Sequence, residues 1–225
     1  AIKRIEITIL EGGSRVISAF PRGFGKTTIS ENSALWAVLY GHRRFVPIIG
    51  ADEPAAKSNI ESLKTELQSN ELLIEDFPEV CWPIAALENK VQRCRSQLHN
   101  GELTHISWAA DEIVLPSIRV PDGKYTSSSG AILLARGITG RIRGMAHKRP
   151  DGEKQRPDFV ILDDIQTDES ASSPSQCEKR LGLIKQAVLR LGGHGRQLAC
   201  VMNCTCIQEG DIVDQLLDHK KNAAW

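Results

Sequence analysis

A glycine-rich segment at positions 20–28 constrains the fold of this chain more than any other feature of its sequence. It reads FPRGFGKTT, follows a β-prone run at 14–19 and precedes a helical run at 29–39. A strand, a glycine turn and a helix in this order bring successive backbone N–H groups and the positive end of the helix dipole to one point. The segment therefore predicts a loop that binds phosphate groups.

Each part of this segment has a predicted task. The glycines allow the turn, Lys26 would reach the β- and γ-phosphates of ATP, and the Thr27 hydroxyl would hold Mg²⁺. The strict pattern has glycine where this chain has Phe20, so a glycine-containing turn with an exposed lysine is the alternative interpretation. The residues predicted to bind the nucleotide are Pro21, Arg22, Gly23, Phe24, Gly25, Lys26, Thr27 and Thr28.

An apolar run that ends in two carboxylates lies far downstream, at positions 156–165, and reads RPDFVILDDI. Such a run suits a strand buried on both faces of a parallel sheet, and its C-terminal carboxylates would emerge at the ligand-binding edge. Asp163 is predicted to hold Mg²⁺, and Asp164 to position the attacking water. A strand followed by a polar turn is the alternative. Together with Lys26 and Thr27, the pair favours a nucleoside triphosphatase.

The spacing of the two motifs bears on the fold. Lys26 and Asp163 lie 137 positions apart (163 − 26), so several β-α units must fit between them. This favours a sheet in which another strand separates the phosphate-loop strand from the Asp163 strand. Strands alternate with helices along the chain, which predicts an α/β, doubly wound, mainly parallel sheet. We therefore expect one domain over residues 1–225, a P-loop NTPase of the additional-strand type.

Some segments are less regular. Positions 5–10 are predicted as a short strand or a lead-in segment, and 79–83 as a loop around Trp82. Positions 103–108 and 113–120 are β-prone, and 147–156, which is polar with Pro and Gly, is predicted as a flexible hairpin or insertion. A helix is predicted over 174–191.

Composition excludes some classes of function. The 28 Lys and Arg residues balance 28 Asp and Glu residues, so any binding of nucleic acid must be local or reside elsewhere. We find no apolar stretch near the ~20 residues that a membrane helix needs, and no N-terminal signal peptide. The six cysteines form no C-x-x-C pair. They are predicted to be reduced and mostly buried, as in a cytosolic protein.

Two further segments carry candidate site residues. The loop GITGRIRG at 137–144 contains Arg143, which is a candidate arginine finger acting in cis or on a neighbouring subunit. Arg22 is a second candidate, and a solvated basic turn is the alternative interpretation of the loop. In the segment NCTCIQEGD at 203–211, Thr205 would sense the γ-phosphate. The alternative there is a strand–helix turn in which Asp211 caps the next helix, and both can hold at once.

In their order, these motifs resemble the large terminase subunit of tailed bacteriophages and prophages, over about positions 17–217. The segments that carry the resemblance are PRGFGKTT at 21–28, IIGAD at 48–52, GRIRGM at 140–145, RPDFVILDD at 156–164 and TCIQEGD at 205–211. The resemblance implies an ATP-driven motor that moves double-stranded viral DNA into a procapsid in the host cytoplasm. It also implies three kinds of partner: a portal protein, a small terminase subunit, and further copies of the chain in a ring.

The resemblance also implies residue roles. Arg143 matches the finger that acts across a subunit interface, and Arg22 matches the sensor of the γ-phosphate. Thr205 belongs to the motif that couples hydrolysis to movement. The family often has Glu where this chain has Asp164, so Glu169 is an alternative catalytic carboxylate if its loop folds back.

Members of the family also carry a C-terminal nuclease domain with an acidic metal-binding cluster. We find no such cluster before Trp225, so we expect an ATPase-domain fragment that does not cleave DNA. Two alternatives stay open. One is a helicase-like, DNA-stimulated P-loop ATPase. The other is a P-loop assembly adaptor without hydrolysis, which Phe20 and Asp164 keep possible.

Overall fold

The computed structural model describes residues 1–148, 152–195 and 198–218, and all helices and strands named below lie within these ranges. The strands are β1 Arg15–Ala19, β2 Phe45–Gly50, β3 Leu98–His99, β4 Glu102–Leu103, β5 Ser107–Trp108, β6 Glu112–Val114, β7 Ile132–Gly137, β8 His147–Lys148, β9 Lys154–Gln155, β10 Phe159–Asp163 and β11 Ala199–Cys204. The α-helices are α1 Ile2–Glu11, α2 Lys26–Leu39, α3 Glu53–Ser69, α4 Glu71–Asp76, α5 Pro78–Ala85, α6 Asp168–Ala171, α7 Pro174–Gln186 and α8 Ile212–Leu217. Short 3₁₀ helices cover Val91–Arg95 and Val188–Arg190.

A seven-stranded sheet of order β1-β11-β10-β2-β7-β6-β5 organises the molecule. The first five strands of this order run parallel, and β6 and β5 add an antiparallel edge. Strand β11 lies between β1 and β10, which confirms the predicted extra strand between the phosphate-loop strand and the Asp163 strand. The register pairs Asp163 with Asn203 and Ala19 with Cys204. The loops that follow β1, β10 and β11 therefore begin side by side at the carboxyl-terminal edge of the sheet.

The sheet is covered on both faces. Along β10, Phe159 and Ile161 belong to one hydrophobic cluster together with residues of α2 and α3. Val160 and Leu162 belong to a second cluster with residues of α7 and α8. This alternation is the two-residue period of a strand whose side chains point to opposite faces. It confirms the predicted doubly wound sheet and explains why the run FVIL contains no polar residue.

Two predictions of local structure are wrong. Positions 5–10 lie in helix α1, because Ile5 and Ile9 are four residues apart and both are buried on one helix face. Positions 79–83 lie in helix α5, which begins at Pro78 and buries Val80 and Ile84. Proline suits the first position of a helix, where its missing N–H has no intrahelical partner.

Other predicted elements are shorter in the structure. Of the β-prone stretch 113–120, only the first two residues lie in β6, since Pro116 has no N–H to donate to a ladder. Of the stretch 103–108, Leu103 lies in β4, Ser107 and Trp108 form β5, and the rest is not strand. The helix predicted over 174–191 ends at Gln186, and a 3₁₀ turn follows.

The segment 147–156 contains a hairpin of β8 and β9, as predicted, and its positions 149–151 lie outside the described residues. The six cysteines are free and five of them are buried, also as predicted. In the described ranges, no helix combines the length and the apolar character that crossing a membrane requires.

The end of β7 packs tightly against the start of α3, and this contact is testable. A Cβ added at Gly137 would lie 2.6 Å from the backbone nitrogen of Glu53 and 2.7 Å from the carbonyl carbon of Asp52. We expect Gly137→Ala to lower the free energy of unfolding by about 1–3 kcal/mol, because backbone cannot yield as a side chain can. Chemical denaturation measures this change.

Gly182→Ala is the matched control. Gly182 lies inside α7, and an added Cβ would meet no atom within 4 Å. This variant should gain about 0.5–1 kcal/mol from helix propensity. Equal stabilities for the two variants would contradict the close packing at Gly137.

Candidate nucleotide-binding site

The segment between β1 and α2 has the conformation that a phosphate-binding loop needs. Gly23 and Gly25 have φ of 77° and 73°, which glycine adopts without steric cost. Gly25 precedes the first residue of α2, and no side chain of the described residues caps this helix. The N–H groups of the first turn of α2 therefore face the loop uncapped, where they and the helix dipole favour an anion.

Asp163 lies at the centre of a buried polar cluster at the end of β10. Its carboxylate accepts hydrogen bonds from Thr27 Oγ1 at 3.1 Å, Ser30 Oγ at 2.7 Å and Asn59 Nδ2 at 3.3 Å. Asn203 Nδ2 donates in turn to Ser30 Oγ at 3.0 Å. Residues from α2, α3 and β11 thus converge on the carboxylate that the sequence predicted as a metal ligand.

Burial decides the electrostatics of this carboxylate. Asp163 is only 7% exposed, and this burial raises the pKa of its carboxyl, although the hydrogen bonds from Ser30, Thr27 and Asn59 oppose the shift. The negative charge of Asp164 raises the same pKa further. A cation would offset the cost of charging Asp163 here.

The oxygens at this position suit Mg²⁺. A carboxylate and a hydroxyl are hard ligands, and Mg²⁺ is commonly held by one or two carboxylates together with phosphate oxygens of the substrate. The described residues contain no group of three or more His, Cys, Asp or Glu side chains arranged to hold a metal by themselves. Asp163 and Thr27 offer two oxygen ligands of this kind for an ion that a bound nucleotide would share.

Asp164 connects the phosphate loop to the loop after β11. One carboxylate oxygen, Oδ2, lies 3.4 Å from Lys26 Nζ, and the other, Oδ1, accepts a hydrogen bond from the Thr205 backbone N–H at 3.0 Å. Lys26 is 6% exposed and also donates to the carbonyl of Pro21 at 3.5 Å. Asp164 has φ of 41°, a left-handed conformation that Asp tolerates better than most residues. In this conformation the carboxylate of Asp164 contacts both the Lys26 ammonium and the Thr205 N–H.

The loop after β11 is held by Gln166 and Asp211. Gln166 Nε2 donates to Asp211 Oδ2 at 2.7 Å and to the Thr205 carbonyl at 3.4 Å. Asp211 also accepts from the Asp214 N–H at 2.9 Å, so the alternative in which Asp211 caps the next helix is confirmed. The hydroxyl of Thr205 is buried without a hydrogen-bond partner among the described residues, so it has bonding capacity left for a ligand.

A cleft of about 520 Å³ lies between these elements. At its mouth, the guanidinium of Arg22 forms an ion pair with the carboxylate of Asp168, and both side chains are exposed. The cleft is lined by Arg22, Gly23, Gly25, Lys26, Thr27, Asp164, Gln166, Thr167, Asp168, Thr205 and Ile207. Its volume lies within the usual range for small-molecule sites.

Some predicted residues lie outside this cleft. Phe24 is exposed and stacks on Phe20, with the ring centroids 5.9 Å apart. Thr28 is exposed on α2. Glu169 is exposed on α6 and does not line the cleft, although its neighbours Thr167 and Asp168 do. Asp164 is the carboxylate beside Lys26. Arg143 is exposed in the loop after β7, a strand that β2 separates from β10.

Sequence reasoning did not find Ser30, Asn59, Asn203 or Gln166. Ser30 lies three residues after Thr27, on the same face of α2, so helical spacing is a signal that could have identified it. Asn59 and Asn203 reach the cluster from α3 and β11. Only the packing of these elements reveals their role.

The strand order and the loop geometry define the class of this fold. An extra strand lies between the phosphate-loop strand and the acidic strand, and the buried carboxylate of the latter meets the first turn of α2. This is the α/β fold of P-loop NTPases of the additional-strand type.

Comparisons with known proteins gave few matches. No protein-family model matches this chain, and no curated protein matches it. Among solved structures, the chain is similar to a mutant ATPase domain of the large terminase of a Thermus phage, P74-26, with 18% sequence identity and a TM-score of 0.42. The similarity covers 86% of this chain and 60% of that one.

The burial of Asp163 leads to a prediction about stability. Because the pKa of Asp163 is raised in the folded protein, folding favours the protonated carboxyl. The stability that Asp163 contributes in this way is fully present below its ordinary pKa of 3.8, and it is lost as the pH rises through the raised pKa of the folded state. We expect Asp163→Asn to melt above the wild type at pH 7, with a difference that shrinks towards pH 4. Each kcal/mol moves the midpoint by about 2–4 °C in a domain of this size.

The control for this experiment is Asp76→Asn, at the exposed end of α4. Thermal melts of the ligand-free protein across the same pH range should give this variant a constant small difference. An Asp163→Asn variant with the same flat profile would show that burial does not disfavour the charge on Asp163.

Proposed function

We propose that this protein is an ATP-hydrolysing motor domain of the large-terminase type, which drives double-stranded DNA into a phage procapsid. The contact between the Thr27 hydroxyl and Asp163, 3.1 Å long, carries the proposal. It supports a shared magnesium–triphosphate site because it joins the start of the helix after the phosphate loop to the acidic strand. The order of the five resembling segments supports the terminase family among P-loop ATPases.

Binding of ATP would rearrange the contacts of Lys26. Its ammonium group lies 3.4 Å from Asp164 Oδ2, and a triphosphate at the N-terminus of α2 would offer it stronger acceptors. Bound Mg²⁺ would supply electrostatic stabilisation of the phosphate oxygens. Lys26 would then hold the phosphates, and the Oδ2 atom of Asp164 would become free to accept a hydrogen bond from water.

Asp164 is suited to position that water. The Thr205 N–H holds its Oδ1 atom at 3.0 Å and so orients the carboxylate, and Asp164 lines the cleft. Movement of Asp164 during the reaction would pull directly on the loop after β11. This connection supports the role of Thr205 in coupling hydrolysis to movement.

The setting that follows from this proposal is the cytoplasm of a bacterial host. There the motor would act as a ring of copies of the chain, docked on a portal protein and supplied with DNA by a small terminase subunit. Arg143 would complete the site of a neighbouring copy. Its exposure outside its own cleft supports a role at a subunit interface.

The phosphate loop can be tested with Lys26→Ala. We expect ATP turnover to fall by about 10²–10³-fold, since a preorganised cation at the phosphates is lost. Circular dichroism should show a folded domain, and Lys179→Ala, at an exposed lysine of α7, should keep full turnover. Full turnover by Lys26→Ala would refute the site.

The finger role of Arg143 can be tested through protein concentration. If the arginine acts on a neighbour, the ATP turnover per wild-type molecule should rise as copies associate, and it should stay low at all concentrations for Arg143→Ala. Arg141→Ala, in the same exposed loop, is the matched control and should keep the rise. An unchanged concentration dependence in Arg143→Ala would exclude this residue as the finger.

A further inference from the structure

A second cleft, of about 740 Å³, has a basic lining. Its basic side chains are Arg44, Arg95, His105, Arg119, His147 and Lys148. No Asp or Glu lines it among the residues that the structure describes. The whole chain has no net charge at pH 7 with His neutral, so the four Arg and Lys side chains make this lining a local concentration of positive charge. Two glutamates lie beside it: Glu102 pairs with Arg119, and Glu112 lies 3.5 Å from His147.

The position of this cleft separates it from the nucleotide site. Two of its lining residues are Arg44, which immediately precedes β2, and Gly130, which lies two residues before β7. Val114, at the end of the antiparallel strand β6, pairs with Ile132 at the start of β7. These residues all lie at the amino-terminal edge of the parallel strands, whereas Lys26 and Asp163 meet at the carboxyl-terminal edge. A ligand here would not compete directly with ATP.

One of the cations, the Arg119 guanidinium, is held in place by three contacts. The Arg119 guanidinium stacks over the Tyr125 ring at 4.2 Å, donates to the Gly123 carbonyl at 2.8 Å and pairs with Glu102 at 3.1 Å. The cations come from separate chain segments: Arg95 ends a 3₁₀ helix, Arg119 follows β6 and Lys148 lies in β8. The positive charge therefore surrounds the cleft and is not confined to one loop.

The kind of cation indicates the kind of anion. The candidate nucleotide site offers an anion glycine-turn N–H groups and a helix N-terminus, whereas no α-helix begins among the residues that line the basic cleft. Long Arg and Lys side chains spread over several segments suit a row of phosphates, as in a nucleic-acid backbone. The Arg119 guanidinium already covers one face of the Tyr125 ring, and no Phe or Trp lines the cleft among its described residues. The cleft is therefore poorer in stacking surfaces than sites for unpaired bases usually are.

We propose that this cleft binds the phosphate backbone of double-stranded nucleic acid, at the sheet edge opposite the ATP site. The biological role of this cleft rests on the proposed function: a packaging motor must contact DNA, and the cleft would be the surface that makes this contact. Binding there is independent of base sequence, since backbone phosphates carry no sequence information directly.

The test compares two double variants that remove the same charge. One is Arg95→Ala with Lys148→Ala, both exposed at the cleft, and the other is Arg4→Ala with Lys179→Ala, both exposed and remote from it. Fluorescence anisotropy measures the affinity for a DNA duplex of about two helical turns between ~50 and ~200 mM salt. We expect the cleft variant to bind about tenfold more weakly, with a salt slope reduced by roughly two, and the remote variant to bind like the wild type.

Other outcomes would overturn the proposal. Equal weakening in both double variants would mean that overall charge, not the cleft, governs binding. Stronger binding of single strands than of duplex, with the same loss in the cleft variant, would assign the cleft to unpaired nucleic acid. Inorganic phosphate that displaces the duplex beyond the effect of sodium chloride at equal ionic strength would assign it to single phosphate ions.

Two measurements keep these results interpretable. The melting temperature of each variant reports its folding, and the two single cleft variants replace the double variant if that one is destabilised. Wild-type ATP turnover is measured in the same preparation. ATP turnover without duplex binding would contradict the role proposed for the cleft and leave the proposed ATPase activity in place. Duplex binding without ATP turnover would contradict the ATPase activity and leave the role of the cleft in place.

Discussion

The meeting of Asp163 with the first turn of α2 is the constraint on which the rest of this structure depends. β11 separates the strand before α2 from the strand that ends in Asp163. The loop at 20–25 must therefore pass over the end of β11, so that Thr27 and Ser30 at the start of α2 can donate to the carboxylate. Charging a buried carboxylate costs free energy that only such donors, or a cation, can offset. The position of the helix, the strand order and the electrostatics of the site are thus one linked arrangement.

From this point the contacts extend to the neighbouring loop. Asp164 touches Lys26 on one side and the Thr205 N–H on the other, and Gln166 holds Asp211 in the same loop. Lys26 of the phosphate loop and the loop after β11 are therefore linked through the single carboxylate of Asp164. The opposite edge of the same sheet carries the basic cleft. A parallel sheet with one ligand at each edge would provide a frame for coupling nucleotide chemistry to a polyanion.

Much of this arrangement was accessible from local patterns. The glycine turn, the apolar run before Asp163 and the spacing between them predicted the phosphate loop, the acidic strand and the extra strand between them. The errors occurred where one local signal was weighed against another. The segment 5–10 is rich in β-branched residues, but the four-residue spacing of Ile5 and Ile9 and their burial produce a helix. The stretch 79–83 contains Pro83, which favours a loop, although Pro78 begins α5 just before it.

The sequence by itself determined which residues are candidates for chemistry here, because the amino-acid types and their order specify a glycine turn before a helix and a buried acid at the end of a strand. Only the tertiary structure decided which groups support them: Asn59 and Asn203 at the buried acid, Asp164 rather than Glu169 beside Lys26, and the basic cleft built from separate chain segments. These choices depend on contacts between residues far apart in the chain. Local propensity and periodicity carry no information about which distant segments pack side by side, whereas the sheet order and the two hydrophobic layers do.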